Sequence, residues 1–349
     1  MRGGGGGGGR GLGGGNARGS AMNPELREMR EAIIHLDGSP EMMRNLAGLL
    51  AHDLPALTEP ALKFIMECVE ELPVKTPVYA ALVGLLNAKV PEFVEEVVRT
   101  SMEHLEAALK SSDLSDKNHA RLLLRFIAIL PAMGVVEASA ALEVLDAVVC
   151  AAVAAAEKNE PGWQPRADFL VYITLAALPW AGGTLSLATE ANAGEIFEVL
   201  MDSIEDYLGK RQQGPDPAAM LFRPAAGSDA GTVDDWLEEV WGRVNEVRKA
   251  GKEDPGSWAV KSIPPVMQQF VQDVAEGGGE RHVPPPLAVP DMGFSGPAEA
   301  LAAFPVRPRL RYGSPYTRMT VCPKHVHALS SWFSHRRQSV DFARRMLQR

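Results

Sequence analysis

Cysteine is scarce: the 349 residues hold three, Cys68, Cys150 and Cys322, far apart and with no C-x-x-C pair. That spacing excludes a disulfide framework and a zinc ribbon, both of which need clustered thiols, so the three read as buried or free. Long apolar runs are missing too. No stretch of 18 apolar residues occurs, and the first twenty residues, MRGGGGGGGRGLGGGNARGS, lack the apolar centre of a signal peptide. Neither a membrane span nor a secretory leader is expected, and an intracellular, soluble chain is. Apolar–polar alternation is nearly absent, which argues against strands. Catalytic signatures are lacking as well: there is no G-x-S-x-G, no Walker A loop and no H-E-x-x-H. The glycine tail fits G-x-G-x-x-G trivially, but it follows no strand and opens no βα unit. No catalytic residue, cofactor or metal is expected, and the chain does not read as an enzyme.

Basic charge is short in the middle of the chain. Residues 281–349 hold 11 Lys and Arg against 3 Asp and Glu, and residues 1–20 hold Arg2, Arg10 and Arg18 with no acid. The remaining 21–280 carries 21 basic and 41 acidic residues, a net of −20. Such a body repels phosphate and makes a poor direct grip on nucleic acid. The tail 1–21 is too glycine-rich to bury apolar surface and is expected to be disordered. Its three arginines have no aromatic neighbours, so the plain reading is a low-complexity terminus and not an RNA-binding arm.

What the body has is helical periodicity. Apolar residues recur at spacings of three and four: Met42, Met43, Leu46, Leu49 and Leu50; Leu62, Ile65, Met66, Val69 and Leu72; Val78, Leu82, Leu85 and Leu86; Phe93, Val94, Val97, Val98, Met102, Leu105 and Leu109. Pro55, Pro60, Pro73, Pro77 and Pro91 fall between these runs, where a missing N–H ends one helix and can begin another. The pattern continues over 119–130, 138–156, 167–178, 194–211, 232–250 and 257–275. Paired helices of 35–45 residues are the period of HEAT-like repeats, in which neither helix buries its apolar stripe until the next pair stacks on it. The expected fold is all-α, a HEAT-like α-solenoid of stacked antiparallel hairpins, five of them, over 22–275. A Pro/Gly-rich loop is expected at 276–323, laid on the surface or free in solvent, and a basic C-terminal helix at 324–349.

The remaining side chains that could carry chemistry each have a plainer use. Cys322, His325, His327 and His335 form the best metal-like cluster, but zinc needs about four converging ligands and no second cysteine or matching carboxylate is spaced to complete the set. His35, His52, His104, His119 and His282 are scattered singly and suit surface or capping roles. The pairs Glu95/Glu96, Asp234/Asp235 and Glu238/Glu239 read as the solvated face of the helices. A cage for a methylated base would draw on Trp163, Tyr172, Trp180, Trp236, Trp241 or Trp258; most sit at helical spacing, where packing between hairpins is the commoner use, and no cage is nominated.

Several segments, taken in order, resemble the large subunit of the nuclear cap-binding complex. They are NLAGLLAHDLP (Asn45 to Pro55), ELP (Glu71 to Pro73), YAALVGLLNA (Tyr79 to Ala88), EFVEEVV (Glu92 to Val98), LLLRFIAIL (Leu122 to Leu130), DFLVYITLAALPWAGG (Asp168 to Gly183), IEDYLGKRQ (Ile204 to Gln212), DDWLEEVWGRV (Asp234 to Val244) and WFSH (Trp332 to His335). The resemblance implies three consecutive helical-repeat domains, of which this chain covers the first, similar to the middle domain of the translation-initiation scaffold. It implies a nuclear scaffold that forms a heterodimer with the small cap-binding subunit. That subunit holds the 5′ methylguanosine cap, so the large subunit meets capped RNA indirectly, and it recruits splicing, export and surveillance factors. No cap-contact residue is carried over, because in the family the small subunit makes that grip. The sequence departs from the family in lacking its N-terminal basic import cluster. It has only about fifty residues between the proline-rich loop and WFSH where the family has more helices, and it diverges after WFSH. A cytoplasmic initiation-type adaptor that binds a helicase through the same middle-domain fold is the competing expectation.

Overall fold

Helix starts in this chain are written by proline and by short polar caps. In the computed structural model the described residues are 23–289, apart from 112, 161, 191, 213–234, 254–257, 259–273, 275–276 and 278. Among them run nine α-helices: α1 Pro24–Ile34, α2 Pro40–Glu71, α3 Thr76–Asn87, α4 Pro91–Lys110, α5 Leu114–Ile129, α6 Ala138–Lys158, α7 Trp163–Ser186, α8 Ala193–Lys210 and α9 Trp236–Glu253. Prolines stand in the first turn of α1 to α4, where the absent N–H has no intrahelical partner to lose. Asn23 caps α1 by accepting from Glu25 N at 3.2 Å, and Asp113 caps α5 by accepting from Ser115 N at 2.9 Å. A 3-10 turn, Leu130–Met133, follows α5 and is closed by Gly134 at φ 67°, a left-handed value that favours glycine.

Pro55 and Pro60 flank a break between two helical segments, as the sequence suggested, although the two run on as one kinked element. They lie inside α2, which kinks at Leu57 (φ −130°, ψ 24°). The Thr58 hydroxyl donates to the Leu54 carbonyl at 2.6 Å and so satisfies an acceptor at the break. The kinked element packs on α1 and α3 and also meets α4 and α5.

The helices stack in two rows. Along one row α3 packs on α5, α5 on α7 and α7 on α9; along the other α2 meets α4 and α6 meets α8. Across the rows α2 packs on α3, α4 on α5 and α6 on α7, each pair joined by a short loop that makes the partners antiparallel neighbours. This is the helical-repeat architecture expected from the periodicity. A single continuous apolar core runs between the rows, with Tyr79, Phe126, Phe169, Phe197 and Tyr207 among its fully buried members. Burying each large apolar side chain contributes roughly 1.5–3 kcal/mol.

The face assignments hold best for α4, where Phe93, Val94, Val97, Val98, Met102, Leu105 and Leu109 are all buried. Five residues placed on buried stripes depart from them, Leu62 and Leu72 by being only partly buried. Met42 is 39% exposed and Leu49 43% exposed, because the first half of α2 turns that side to solvent. Leu85 is only partly buried; its neighbours Leu82 and Leu86 are fully enclosed. Helix α6 and helix α7 are long and apolar enough to pass as membrane spans by composition, with mean hydropathy of 1.9 and 1.4 over 18 residues, but half of one window and two-thirds of the other are buried inside the fold. Their apolarity serves contacts with α5, α8 and each other.

The segment expected to form a hairpin at 257–275 lies mostly outside the described residues, but two of its side chains are placed and both are buried. Trp258 sits against Gly182 of α7, where an added Cβ would fall 2.1 Å from the indole, and Val274 sits against Gly84 of α3, where it would fall 2.5 Å from a methyl carbon. Two glycines from the LPWAGG and LVGLLNA blocks therefore open the gaps that receive them. Beyond, residues 279–289 run extended along the surface. His282 N donates to the Val135 carbonyl at 2.8 Å in a parallel bridge with Val136.

Candidate functional site

The α7–α8–α9 corner is held by a buried ion cluster. Asp168 lies in the first half of α7, in an otherwise apolar run, and its carboxylate faces the end of α8. It accepts from the Tyr207 hydroxyl at 2.6 Å, from Arg211 Nε at 2.7 Å and from Arg211 Nη2 at 3.0 Å. Arg211 Nη1 in turn stands 2.7 Å from Asp235 Oδ1. The same Asp235 oxygen caps α9 by accepting from Leu237 N at 3.0 Å and Glu238 N at 3.2 Å. One guanidinium flanked by two carboxylates thus fixes where α9 begins relative to α7 and α8. Burial works against the Arg211 charge, but the bonds to Asp168 and Asp235 outweigh it and push its pKa up. Burial, and then the Asp168 charge, push the Tyr207 hydroxyl far above its ordinary range, so it remains a donor. Gln164 braces the cluster by pairing with the Gln212 backbone, donating to its carbonyl at 2.7 Å and accepting from its N–H at 3.0 Å.

Asp235 is therefore not part of a solvated face, as the sequence suggested; it is 7% exposed and bound to Arg211. Its sequence neighbour Asp234 lies outside the described residues. Glu95 is exposed as expected, and Glu96 pairs with Arg99 on the surface of α4. Glu238 borders a shallow open groove with Leu208, Gly209, Arg211 and Trp241.

The aromatic candidates pack and do not converge. Trp163 meets Tyr207 edge-on with ring centres 6.2 Å apart and donates to Asn159 Oδ1 at 2.9 Å. Trp258 meets Phe197 edge-on at 5.9 Å. Trp180 lies under the Arg125 guanidinium, 4.7 Å from ring centre to its central carbon. Tyr172 is half-buried on α7, Trp241 lines the shallow groove, and the Trp236 side chain lies outside the described residues.

Of the histidines, His35 and His52 are exposed, and His52 contacts Asp53 at 2.8 Å. His104 bonds Glu70 across α4 and α2 at 2.6 Å, and His119 stands 3.6 Å from both Glu71 and Asp116. His282 departs from the surface role expected of it: it is 7% exposed and donates from Nε2 to Asn87 Oδ1 at 2.8 Å, while Asn87 Nδ2 donates to the Glu280 carbonyl at 2.6 Å. Because Nδ2 is committed to that carbonyl, Oδ1 faces the ring and Nε2 carries the proton. Together with the Arg281–Glu190 ion pair, this ties residues 280–282 to the end of α3 and to the loop between α7 and α8. Cys68 is buried and Cys150 exposed. Cys322, His325, His327, His335 and the arginines of the glycine tail lie outside the described residues. Among the described residues no three His, Cys, Asp or Glu side chains gather as metal ligands.

One cluster had no counterpart in the sequence reading. Lys117, Arg121 and Arg125 follow one another along one line of α5, and Lys117 Nζ lies 5.2 Å from the Phe169 ring centre on α7. Their four-residue spacing was visible, but the rings that receive Lys117 and Arg125, Phe169 and Trp180, belong to a helix more than fifty residues further on.

The comparisons agree with this architecture. Over 246 residues the chain is 29% identical to nuclear cap-binding protein subunit 1 of Oryza sativa subsp. japonica, covering 70% of this chain and 27% of that protein. Over 232 residues it is 28% identical to the protein of the same name from Arabidopsis thaliana, covering 66% and 26%. The chain thus spans about a quarter of the length of these relatives, and the resemblance read from its sequence blocks is shown. The MIF4G domain profile matches residues 40–229, a stretch that starts at the first residue of α2 and takes in α3 to α8. That match covers more than half of the chain, and the chain belongs to the MIF4G domain family.

Proposed function

We propose that this chain is a non-catalytic scaffold subunit of the nuclear cap-binding complex. In this reading it supports binding of the 5′ methylguanosine cap by the small subunit and offers its helical rows to splicing, export and surveillance factors in the nucleus. The observation that carries the reading is the collinear similarity to two proteins named nuclear cap-binding protein subunit 1, extending past the MIF4G match. The geometry supports it. The polar clusters of the described residues tie one helix to the next: Asp168–Arg211–Asp235 binds three helices, and Asn87–His282 binds a strap. A net of −20 over residues 21–280 favours protein partners over direct contact with RNA phosphates.

The test is co-purification of the full chain with the small cap-binding subunit. Co-elution from a sizing column at a one-to-one ratio is expected, and separate elution withdraws the assignment. The competing reading, a cytoplasmic initiation-type adaptor for a helicase, shares the MIF4G domain and is separated by localisation: a fluorescent fusion is expected in the nucleus.

A further inference from the structure

Two arginines of α5 stand apart from the charge pattern of this protein. Arg121 and Arg125 are one helical turn apart, on a body that carries 41 acidic residues against 21 basic over 21–280, yet among the described residues neither forms an ion pair. Their recorded acceptors are neutral: Arg121 Nη2 donates to Asn118 Oδ1 at 2.7 Å, and Arg125 Nη1 donates to the Pro73 carbonyl at 3.2 Å. The Nε of each is enclosed and has no hydrogen-bond acceptor. Burial, and then the neighbouring Arg121 charge, lower the Arg125 pKa to about 9, which still leaves it cationic at neutral pH. A buried cation without a carboxylate is costly, and an enclosed donor without an acceptor calls for an explanation.

The surroundings supply one. Trp180 lies under Arg125, and Tyr172 stands two turns earlier on the same half-buried line of α7. Lys117 and Arg166, both already engaged within the chain, add positive charge further along. Arg121 opens toward solvent while Arg125 is 6% exposed, so the cationic surface has a floor and a rim.

We propose that the α5–α7 face around Arg121, Arg125 and Trp180 docks an acidic peptide segment of a partner protein, its carboxylates meeting the two guanidiniums and its apolar residues lying on the Trp180 edge. A carboxylate pairs with a guanidinium through charge-assisted hydrogen bonds and supplies the negative charge that this cationic patch lacks among the described residues. A peptide fits better than RNA. A phosphodiester strand approaching this face crosses the field of an acidic body, whereas a short peptide brings its charge to the patch alone. The inference goes beyond the cap-complex reading and does not depend on it: failure to bind the small subunit leaves this surface unchanged, and loss of peptide binding leaves co-purification unchanged.

The experiment is fluorescence anisotropy on the full chain with three labelled twelve-residue probes: four repeats of Asp-Glu-Leu, four repeats of Asn-Gln-Leu, and a uridine dodecamer. The acidic peptide is expected to bind, with affinity that falls as salt rises. Arg121→Glu is expected to weaken it roughly tenfold or more, whereas Arg27→Glu, the same charge change on exposed α1, leaves it within about twofold. Arg121→Gln keeps the side chain's bulk and covers the case in which the charge reversal disturbs folding; it too is expected to weaken binding severalfold, with helicity unchanged by circular dichroism. Equal binding of the neutral peptide, tighter binding of the RNA, equal losses in Arg121→Glu and Arg27→Glu, or no binding of the acidic probe each overturns the proposal.

Discussion

Replacing Asp168 by asparagine keeps the side chain's shape and removes its charge, which makes it the sharpest probe of how the α7–α8–α9 corner is held. The wild-type carboxylate accepts four bonds, of 2.6, 2.7 and 3.0 Å from Tyr207 and Arg211 and a longer one of 3.4 Å from Gln164 Nε2. The asparagine amide offers one acceptor and turns a donor toward a guanidinium that only donates. Removing one partner of a buried ion pair costs about 3–5 kcal/mol, because the other charge stays enclosed. Asp235 remains beside Arg211 at 2.7 Å, which places the expected loss near the lower end of that range. At roughly 2–4 °C per kcal/mol for a domain of 150–250 residues, the midpoint should fall by about 6–12 °C. The loss should also be local. Because Asp235 both binds Arg211 and caps α9, amide exchange over 237–253 should speed up more than in α4. The double change Asp168→Leu with Arg211→Met removes both charges and should recover part of the loss. A midpoint for Asp168→Asn within the scatter of surface substitutions, about 0.5 kcal/mol, with α9 exchange unchanged, would refute the claim that this cluster carries the corner.

Leu86→Ala, at a fully enclosed site, should cost about 2–5 kcal/mol in chemical denaturation, Leu85→Ala distinctly less, and Glu95→Ala well under about 1 kcal/mol; equal effects at the three would contradict the face assignment. Gly182→Ala places a methyl 2.1 Å from the Trp258 ring and should cost about 1–3 kcal/mol, read as a lower melting midpoint with a shift in tryptophan emission. The His104 pKa is raised mainly by its bond to Glu70, against the opposing effect of burial. That stabilisation is therefore complete below the ordinary histidine value near 6.5 and is lost as pH climbs through the higher folded value, so His104→Gln should flatten stability against pH above about 6.5.

How much of this was legible in the sequence depends on whether the deciding contact is local. The α4 stripe could be read directly because its apolar residues leave a charged opposite face. In α3, TPVYAALVGLLN is apolar nearly all round, so spacing could not separate Leu85 from Leu86; the packing of α2, α4 and α5 around it does. Pro55 and Pro60 marked a real break, at Leu57 between them, because the missing N–H is a local signal; that the two segments continue as one kinked element was not visible in it. Asp235 looked solvated because it stands beside surface carboxylates; its partner Arg211 lies beyond a gap, and Asp168 is 43 residues before that. The one available signal was Asp168 itself, a charge at the head of the apolar run FLVYITLAAL. His282 was read as a surface residue for the same reason, since Asn87 lies 195 residues away.

Retention on a resin bearing a methylguanosine cap analogue tests the central claim most directly. The full chain should pass through alone, be retained when the small cap-binding subunit is added, and be released by free cap analogue. Retention of the chain by itself, or its passage through the resin while the small subunit is held, would contradict its assignment as the scaffold of that complex.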